Sequence, residues 1–101
     1  MRLVIDTRNG YSADFLCDNA RDGQRILNER AISVLYITQK LHGRGTGLDV
    51  LRWAQRRNRL PVHVVVTAKD RGHQATLTEF LTSAGYVGNG TFYHKARTMP
   101  R

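Results

Sequence analysis

Two apolar stretches decide the fold: residues 32–38 (ISVLYIT) and residues 62–67 (VHVVVT). Both are nearly continuous in β-branched and other apolar residues, a pattern that is typical of strands buried on both faces. Such strands lie in the middle of a sheet, which is usually parallel. Residues 2–7 (RLVIDT) and 91–96 (TFYHKA) are predicted to add two further strands.

Three helices are predicted between these strands. Their bounds are residues 20–30 (ARDGQRILNER), 47–59 (GLDVLRWAQRRNR) and 74–84 (QATLTEFLTSA). Thr46 is a favourable N-cap for the second helix and Pro61 stops it, while Gly85 ends the third. The alternation of strands and helices predicts an α/β domain with right-handed crossovers.

Residues 9–19 allow two interpretations. They form either a strand (ADFLCDN) that is reached through a short loop, or the first part of one long helix that Ser12 caps. Phe15 and Leu16 fit both patterns, and the turn at Asn9-Gly10 fits both as well. The sequence therefore leaves open whether residues 12–30 are one helix or a strand followed by a helix.

A chain of 101 residues is expected to form one domain, spanning residues 1–101. The single Cys17 excludes an internal disulfide, favours a reducing compartment and is predicted to be a small buried hydrophobe. No apolar run approaches the roughly 20 residues that cross a bilayer, and the N-terminus lacks the apolar segment of a signal peptide. We therefore expect a cytoplasmic protein without membrane association.

The charge of the chain is strongly basic, with 16 Lys and Arg against 8 Asp and Glu and a net charge of +8. Residues 1–39 contain equal numbers of basic and acidic groups, so the whole excess lies in residues 40–101. This excess predicts a polyanionic partner, either nucleic acid or an acidic protein, with a merely solubilising surface as the alternative. Arginine predominates over lysine, which favours a partner because the guanidinium pairs with phosphate or carboxylate through two hydrogen bonds.

Four of the arginines cluster near the end of the second predicted helix. They are Arg52, Arg56, Arg57 and Arg59. At about 100° per residue, Arg52, Arg56 and Arg59 share one face, and Arg57 lies off it, closer to Trp53. This arrangement predicts a surface for phosphates or carboxylates, whereas an ordinary solvated face usually mixes both signs of charge.

Residues 31–54 (AISVLYITQKLHGRGTGLDVLRWA) are similar to a segment of a known family. This segment resembles the small receiver-like domains associated with cyclic-phosphate processing, and residues 46–53 (TGLDVLRW) match most closely. The order of elements is also similar over most of the chain, including the Ile5-Asp6-x-Arg8 end of the first strand. The resemblance implies a small receiver-like (flavodoxin-like) domain with a mostly parallel sheet of four to five strands and about three helices.

The acidic cluster of such domains is largely absent here. Receivers gather carboxylates at the ends of their first and third strands, where they bind a divalent metal and handle phosphate. Asp6 remains, but Thr38, Gln39 and Lys40 stand where the resemblance implies an acid, a histidine and an acid. Because one carboxylate is too few for a hard cation, we expect neither a metal nor phosphotransfer to an aspartate.

The resemblance also places Thr67 and Lys95 at this edge, at the positions of a receiver's small hydroxyl residue and last-strand lysine. Cations and hydroxyls would then surround one acid, and helix N-termini at the same edge would add to the attraction for phosphate or carboxylate. The predicted anion pocket consists of Asp6, Arg8, Thr38, Lys40, Thr67, Lys69 and Lys95. In the alternative, Asp6 pairs with Lys95 or Arg8 as a structural ion pair and no ligand binds.

No catalytic residue is assigned. The four histidines lack the i, i+4 spacing of a helical metal pair, although His42 and His73 on loops leave an acid–base pair for phosphodiester chemistry as a minor alternative. The loop at residues 41–47 (LHGRGTG) has glycines that would let backbone amides approach a phosphate, but it lacks the GK[ST] ending of a P-loop. We expect no cofactor.

Three functions are compatible with these features. The first is a non-catalytic, receiver-like binding module that regulates or inhibits a protein partner. The second is nucleic-acid binding through the Arg-rich helix, with the aromatic residues expected to form no strand-surface motif of the common RNA modules. An enzyme that acts on phosphates is the third, and only the resemblance implies it.

One face of the sheet is expected to be bare. A receiver covers both faces, but residues 8–12 are too few for a helix after the first strand, and little chain follows Lys95. Leu35, Ile37 or Val65 would then face solvent, which predicts a homodimer or a tight heteromeric complex through that face. A single long helix over residues 12–30 would cover part of it and weaken this prediction.

Overall fold

The computed structural model describes residues 1–8 and 10–96, which form six strands and three helices. In chain order these are β1 (Arg2–Ile5), β2 (Phe15–Cys17), α1 (Ala20–Glu29), β3 (Val34–Ile37), α2 (Gly47–Arg56), β4 (His63–Val66), α3 (Arg71–Ser83), β5 (Tyr86–Gly88) and β6 (Phe92–Lys95). The predicted α/β class is confirmed, and a helix forms in each of the three predicted regions. The second helix is shorter than predicted: Arg57 is its C-cap and Asn58 takes a left-handed φ of 56°, so Arg59 lies beyond α2 and does not share a helical face with Arg52 and Arg56.

The sheet has the strand order β2-β1-β3-β4-β6-β5. Its first four strands are parallel, whereas β6 is antiparallel to both β4 and β5. The sheet therefore has six strands and is mixed, whereas the sequence predicted four to five mostly parallel strands. The reason is a hairpin: Asn89 accepts hydrogen bonds from the backbone of Thr91 and Phe92, and Gly90 takes a φ of 100°, so the chain reverses and β6 pairs beside β4.

Residues 12–30 form a strand and then a helix. Phe15, Leu16 and Cys17 pair in parallel with β1. Asn19 then takes an extended backbone conformation, and its side chain accepts a hydrogen bond from the backbone of Asp22, which starts α1. The alternative of one long helix is wrong, because pairing with β1 and the asparagine cap end the extended segment before helix formation begins.

The hydrophobic core lies between the sheet and the helices. All three helices pack side by side on one face, since α2 contacts both α1 and α3. Alternate strand residues point into this core, among them Leu3, Leu35, Ile37 and Val64, each with no exposed surface. The expectation that Leu35 or Ile37 faces solvent is therefore wrong, because these residues lie on the face that the helices cover.

The opposite face of the sheet carries no helix, and we call it the open face. A row of side chains crosses it from β2 to β6: Leu16, Val4, Tyr36, Val65 and Phe92, each opposite the next in the strand register. Val65 does lie on this face, as expected, but is only 8% exposed. Leu16 and Phe92 are 63% and 60% exposed, so the apolar surface concentrates at the two ends of the row. Among the described residues, no helix has the length and apolar character needed to cross a membrane.

Candidate functional site: the strand-end pocket

Asp6 lies directly after β1, is only 5% exposed and accepts five hydrogen bonds. Oδ1 accepts from the backbone N–H of Arg8 at 3.0 Å and from its Nε at 3.2 Å. Oδ2 accepts from Arg8 Nη2 at 2.9 Å, from the Tyr11 hydroxyl at 3.1 Å and from the Thr67 hydroxyl at 2.7 Å. Both carboxylate oxygens are therefore saturated by groups of this chain.

The electrostatics of this network keep Asp6 ionised. Burial by itself would raise the pKa of the Asp6 carboxyl, but the hydrogen bonds from Arg8 and Thr67 and the charge of Arg8 outweigh it, so the pKa lies below its ordinary value. The side-chain hydrogen bond between Arg8 and Asp6 also raises the pKa of the Arg8 guanidinium. Of the two ion pairs considered for Asp6, the pair with Arg8 is the one that forms.

Lys95 lies away from this group, which corrects one predicted pocket residue. Its backbone N–H donates to the carbonyl of Val62 at 2.8 Å, just before β4 begins. Because β6 is antiparallel, its end lies at the edge where the parallel strands start, not where they finish. Thr67 is at the correct edge, but its hydroxyl donates to Asp6 and its carbonyl accepts from Arg8, so it belongs to the Asp6 network.

A pocket of about 300 Å³ opens beside the Asp6 network, and we call it the strand-end pocket. Its lining residues are Asp6, Thr7, Arg8, Thr38, Lys40, Leu41, His42 and Lys69. The structure thus brings together five of the seven predicted anion-pocket residues and adds His42 from the following loop. Since Arg8 neutralises Asp6 and both lysines are exposed, the pocket carries a net positive charge.

The helix N-termini do not contribute to this pocket in the way the sequence suggested. Each helix is capped by its own side chains: Asn19 caps α1, Thr46 and Asp49 form a capping box on α2, and Asp70 caps α3. The Leu48 N–H donates to Gln39 Oε1 at 2.9 Å, which engages a further amide at the start of α2. Attraction for an anion therefore rests on Lys40, Lys69 and the Thr38 hydroxyl.

A second pocket of about 350 Å³ lies on the other side of Asp6 and includes Cys17, Asp18 and Asp22. Burial, reinforced by the charge of Asp22, raises the pKa of the Cys17 thiol, which keeps it protonated and unreactive. The Asp22 carboxylate accepts from the Asn19 amide at 3.0 Å. Within residues 1–8 and 10–96, no group of three or more His, Cys, Asp or Glu side chains is placed to hold a metal ion.

The Arg surface consists of Arg52, Arg56, Arg57 and Arg59, all of which are exposed. In the part of the chain that the structure describes, ion pairs form only at Arg8–Asp6 and Arg25–Asp22, so none of the four has a carboxylate partner. Arg57 lies over the ring of Trp53, with 5.2 Å from its guanidinium carbon to the ring centroid. The helix starts at the strand-end edge and runs about 15 Å away from it, so the Arg surface and the pocket are separate.

The histidines do not form one catalytic group. His42 lines the strand-end pocket, but His73 lies in the first turn of α3 and is not part of the lining. His63 and His94 are direct cross-strand partners of β4 and β6, and both are exposed. The His42 and His73 acid–base pair that the sequence left open is therefore not assembled in this pocket.

The open face contains an aromatic group that the sequence analysis missed. Tyr11 packs against Tyr36, with 6.1 Å between ring centroids and an interplanar angle of 48°. Phe92 lies in the same row as Tyr36, separated by Val65. The sequence analysis did not take into account which face the helices leave uncovered, and so it did not place Tyr36 and Phe92 on one exposed face. The signal was present in the alternation of buried Leu35 with Tyr36 and of buried Tyr93 with Phe92.

No family model, no curated protein and no solved structure matches this chain.

Proposed function

We propose that this chain is a non-catalytic, receiver-like binding module that holds an anionic partner on its basic surface and thereby regulates or inhibits a protein. The observation that carries the proposal is the saturation of Asp6 by Arg8, Tyr11 and Thr67. The order β2-β1-β3-β4 supports the receiver-like part, since it equals the first four strands of the flavodoxin-like arrangement.

The chemistry of the strand-end edge favours binding over catalysis. A phosphoryl-accepting aspartate needs free carboxylate oxygens and further acids to hold a divalent cation. Asp6 has no free oxygen, and β3 leads into Thr38 and Lys40 rather than into acids. An enzyme acting on phosphates is accordingly the least supported of the three functions.

Inorganic phosphate is the probe for the strand-end pocket. At a concentration ten times its Kd, phosphate should raise Tm by about 7 °C relative to chloride at equal ionic strength, since ligand binding to the native state shifts unfolding by mass action. Millimolar magnesium should produce no such rise. The double variant Lys40→Gln, Lys69→Gln should lose the phosphate effect, as measured by differential scanning calorimetry.

Lys95→Gln is the control for each single substitution, Lys40→Gln or Lys69→Gln, because it likewise removes one lysine charge but at the opposite edge of the sheet. It should keep the full phosphate effect. Specific magnesium binding with micromolar affinity would reverse the assignment of this pocket as an anion site. So would a loss of the phosphate-induced rise in Tm that is as large in Lys95→Gln as in the double variant.

Nucleic acid is the second candidate partner, and the unpaired guanidinium groups of the Arg surface favour it. Phosphates attract such groups, and bound counterions are released when the two meet, so affinity falls steeply with salt. Replacing Arg52, Arg56 and Arg59 by glutamate should abolish the contribution of this surface and flatten the salt dependence, measured by fluorescence anisotropy with a labelled oligonucleotide.

A triple glutamate variant of Arg21, Arg25 and Arg30 is the control, since it changes the net charge equally on α1 and its C-cap. It should weaken binding much less. An equal loss in both triple variants would show a dependence on net charge alone, and no binding by the wild-type protein at low salt would leave an acidic protein as the partner.

A further inference from the structure

We propose that the open face binds single-stranded nucleic acid by stacking bases on Tyr36 and Phe92, with Lys40 and Lys69 holding backbone phosphates. The inference rests on the proposed non-catalytic binding function and names its partner. It assigns the contact to a surface that is separate from the Arg surface on α2.

The two aromatic side chains are placed in one row. Tyr36 pairs with Val65, and Val65 pairs with Phe92 in the strand register, so the two rings are separated by two strand spacings, about 10 Å. Phe92 is 60% exposed and Tyr36 is half-buried. Bases of an extended single strand can each reach a separate ring at this spacing.

Tyr36 is backed by a preorganised neighbour. The Tyr11 hydroxyl donates to Asp6 at 3.1 Å, and its ring packs against Tyr36. Asp6, which is itself held by Arg8, thus fixes the position of the Tyr11 side chain over the open face. The first-strand acid, which in a receiver helps to hold the metal, here holds an aromatic ring in position.

The charges around the row fit a polyanion. The strand residues of β3, β4 and β6 include no carboxylate. The two lysines of the strand-end pocket, Lys40 and Lys69, lie at one edge of the face, and no carboxylate of these strands opposes them. A single strand supplies both flat bases for the rings and phosphates for the cations.

Three other occupants fit less well. An acidic protein would engage the cations but offers no reason for exposed aromatic rings in a row. A second copy of this chain would bring another net charge of +8 against the first. Duplex DNA also fits less well, because its bases are already stacked on one another and cannot reach the rings.

The test is the affinity of the intact protein for a fluorescein-labelled strand of ten deoxythymidines and for one of ten uridines, measured by anisotropy. Tyr36→Ala and Phe92→Ala should each weaken binding by about ten-fold, in line with the stacking contribution of one base. Tyr36→Phe should retain the wild-type affinity because the ring is kept. Val87→Ala is the control, since Val87 is an exposed apolar residue on a neighbouring strand outside the row.

The salt dependence separates stacking from phosphate contacts. Tyr36→Ala and Phe92→Ala should weaken binding without changing the slope of log affinity against log salt concentration. The double variant Lys40→Gln, Lys69→Gln should make this slope smaller. A duplex of equal length should bind more weakly than the single strand and should be insensitive to Phe92→Ala. Thermal melts establish that each variant is folded.

Distinct results overturn the inference and the proposed function. If oligonucleotides bind but both alanine variants match the wild type, the open face is not the contact, and the binding function survives on other surfaces. If phosphate stabilises the protein but no oligonucleotide binds at low salt, nucleic acid is excluded and an anionic protein remains. If neither phosphate nor any oligonucleotide binds, the proposed function itself fails. A dimer in sedimentation equilibrium that Phe92→Ala dissociates would assign this face to a second copy.

Discussion

Replacing Asp6 by asparagine should lower the free energy of unfolding by about 3 kcal/mol at neutral pH, because the buried carboxylate accepts five hydrogen bonds and several of them are lost. Arg8 adds little to this loss, since 36% of its side chain is exposed to water. Asparagine keeps one acceptor oxygen but turns an amide N–H₂ toward groups that all donate, namely Arg8, Tyr11 and Thr67. Urea denaturation at pH 7 measures the loss.

The same network predicts acid lability. The pKa of Asp6 is lower in the folded protein than in the unfolded chain, so its contribution to stability is present above the unfolded pKa. That contribution is lost as the pH falls below about 4, through the folded pKa. The wild-type protein should lose more stability than Asp6→Asn over this range, and the two stability curves should converge at low pH.

Asp14→Asn is the control for this charge removal. Asp14 is an exposed carboxylate that accepts a hydrogen bond from the backbone of Arg2 at 2.7 Å. Because water can replace that contact, we expect a loss of only about 1 kcal/mol at neutral pH. Equal losses in the two variants would show that the Asp6 network contributes no more than a surface hydrogen bond.

The central strands were predictable because their residues are apolar over several consecutive positions. β1, β3 and β4 all lie within predicted stretches, and Thr46 caps α2 as its sequence indicated. The short strands were harder to predict from the sequence. β2 and β5 have three residues each, which are too few to distinguish the alternating hydrophobic pattern of a strand from that of a helix. Their existence depends on pairing with β1 and β6, which are tertiary contacts.

The direction of β6 was not predictable from its own residues. It depends on the turn at Asn89 and Gly90, which sends the chain back beside β4. For that reason Lys95 was assigned to the wrong edge, while Lys40 and Lys69, which follow parallel strands, were assigned correctly. The position of a strand-end residue can be predicted only where the direction of its strand is known.

The exposure of Tyr36 and Phe92 could not be predicted from the local sequence pattern. Tyr36 and Phe92 alternate with buried residues, which places them on the opposite face but does not reveal whether that face is covered. Only the packing of all three helices on one face leaves these rings accessible. An expectation about stacking therefore depends on the layer structure of the whole domain, not on the local pattern.

Gly47→Ala should lower the free energy of unfolding by about 3 kcal/mol, because a methyl group at this position overlaps with the backbone of the preceding strand end. A Cβ atom there would overlap with the Thr38 carbonyl oxygen and would lie 2.9 Å from its carbonyl carbon. The Gly47 N–H also donates to the Gln39 carbonyl at 2.9 Å, so the two backbones cannot separate without losing this hydrogen bond. Chemical denaturation measures the change.

Gly43→Ala separates close approach from backbone conformation. Gly43 has a φ of 73° and nothing within 4 Å of its Cβ position, so alanine there costs only the strain of a left-handed residue, about 1 kcal/mol. A larger loss for Gly43→Ala than for Gly47→Ala would contradict the argument from close approach.

Because relief of the overlap must displace Thr38 or the start of α2, Gly47→Ala should also weaken the phosphate effect on Tm, whereas Gly43→Ala should leave it intact.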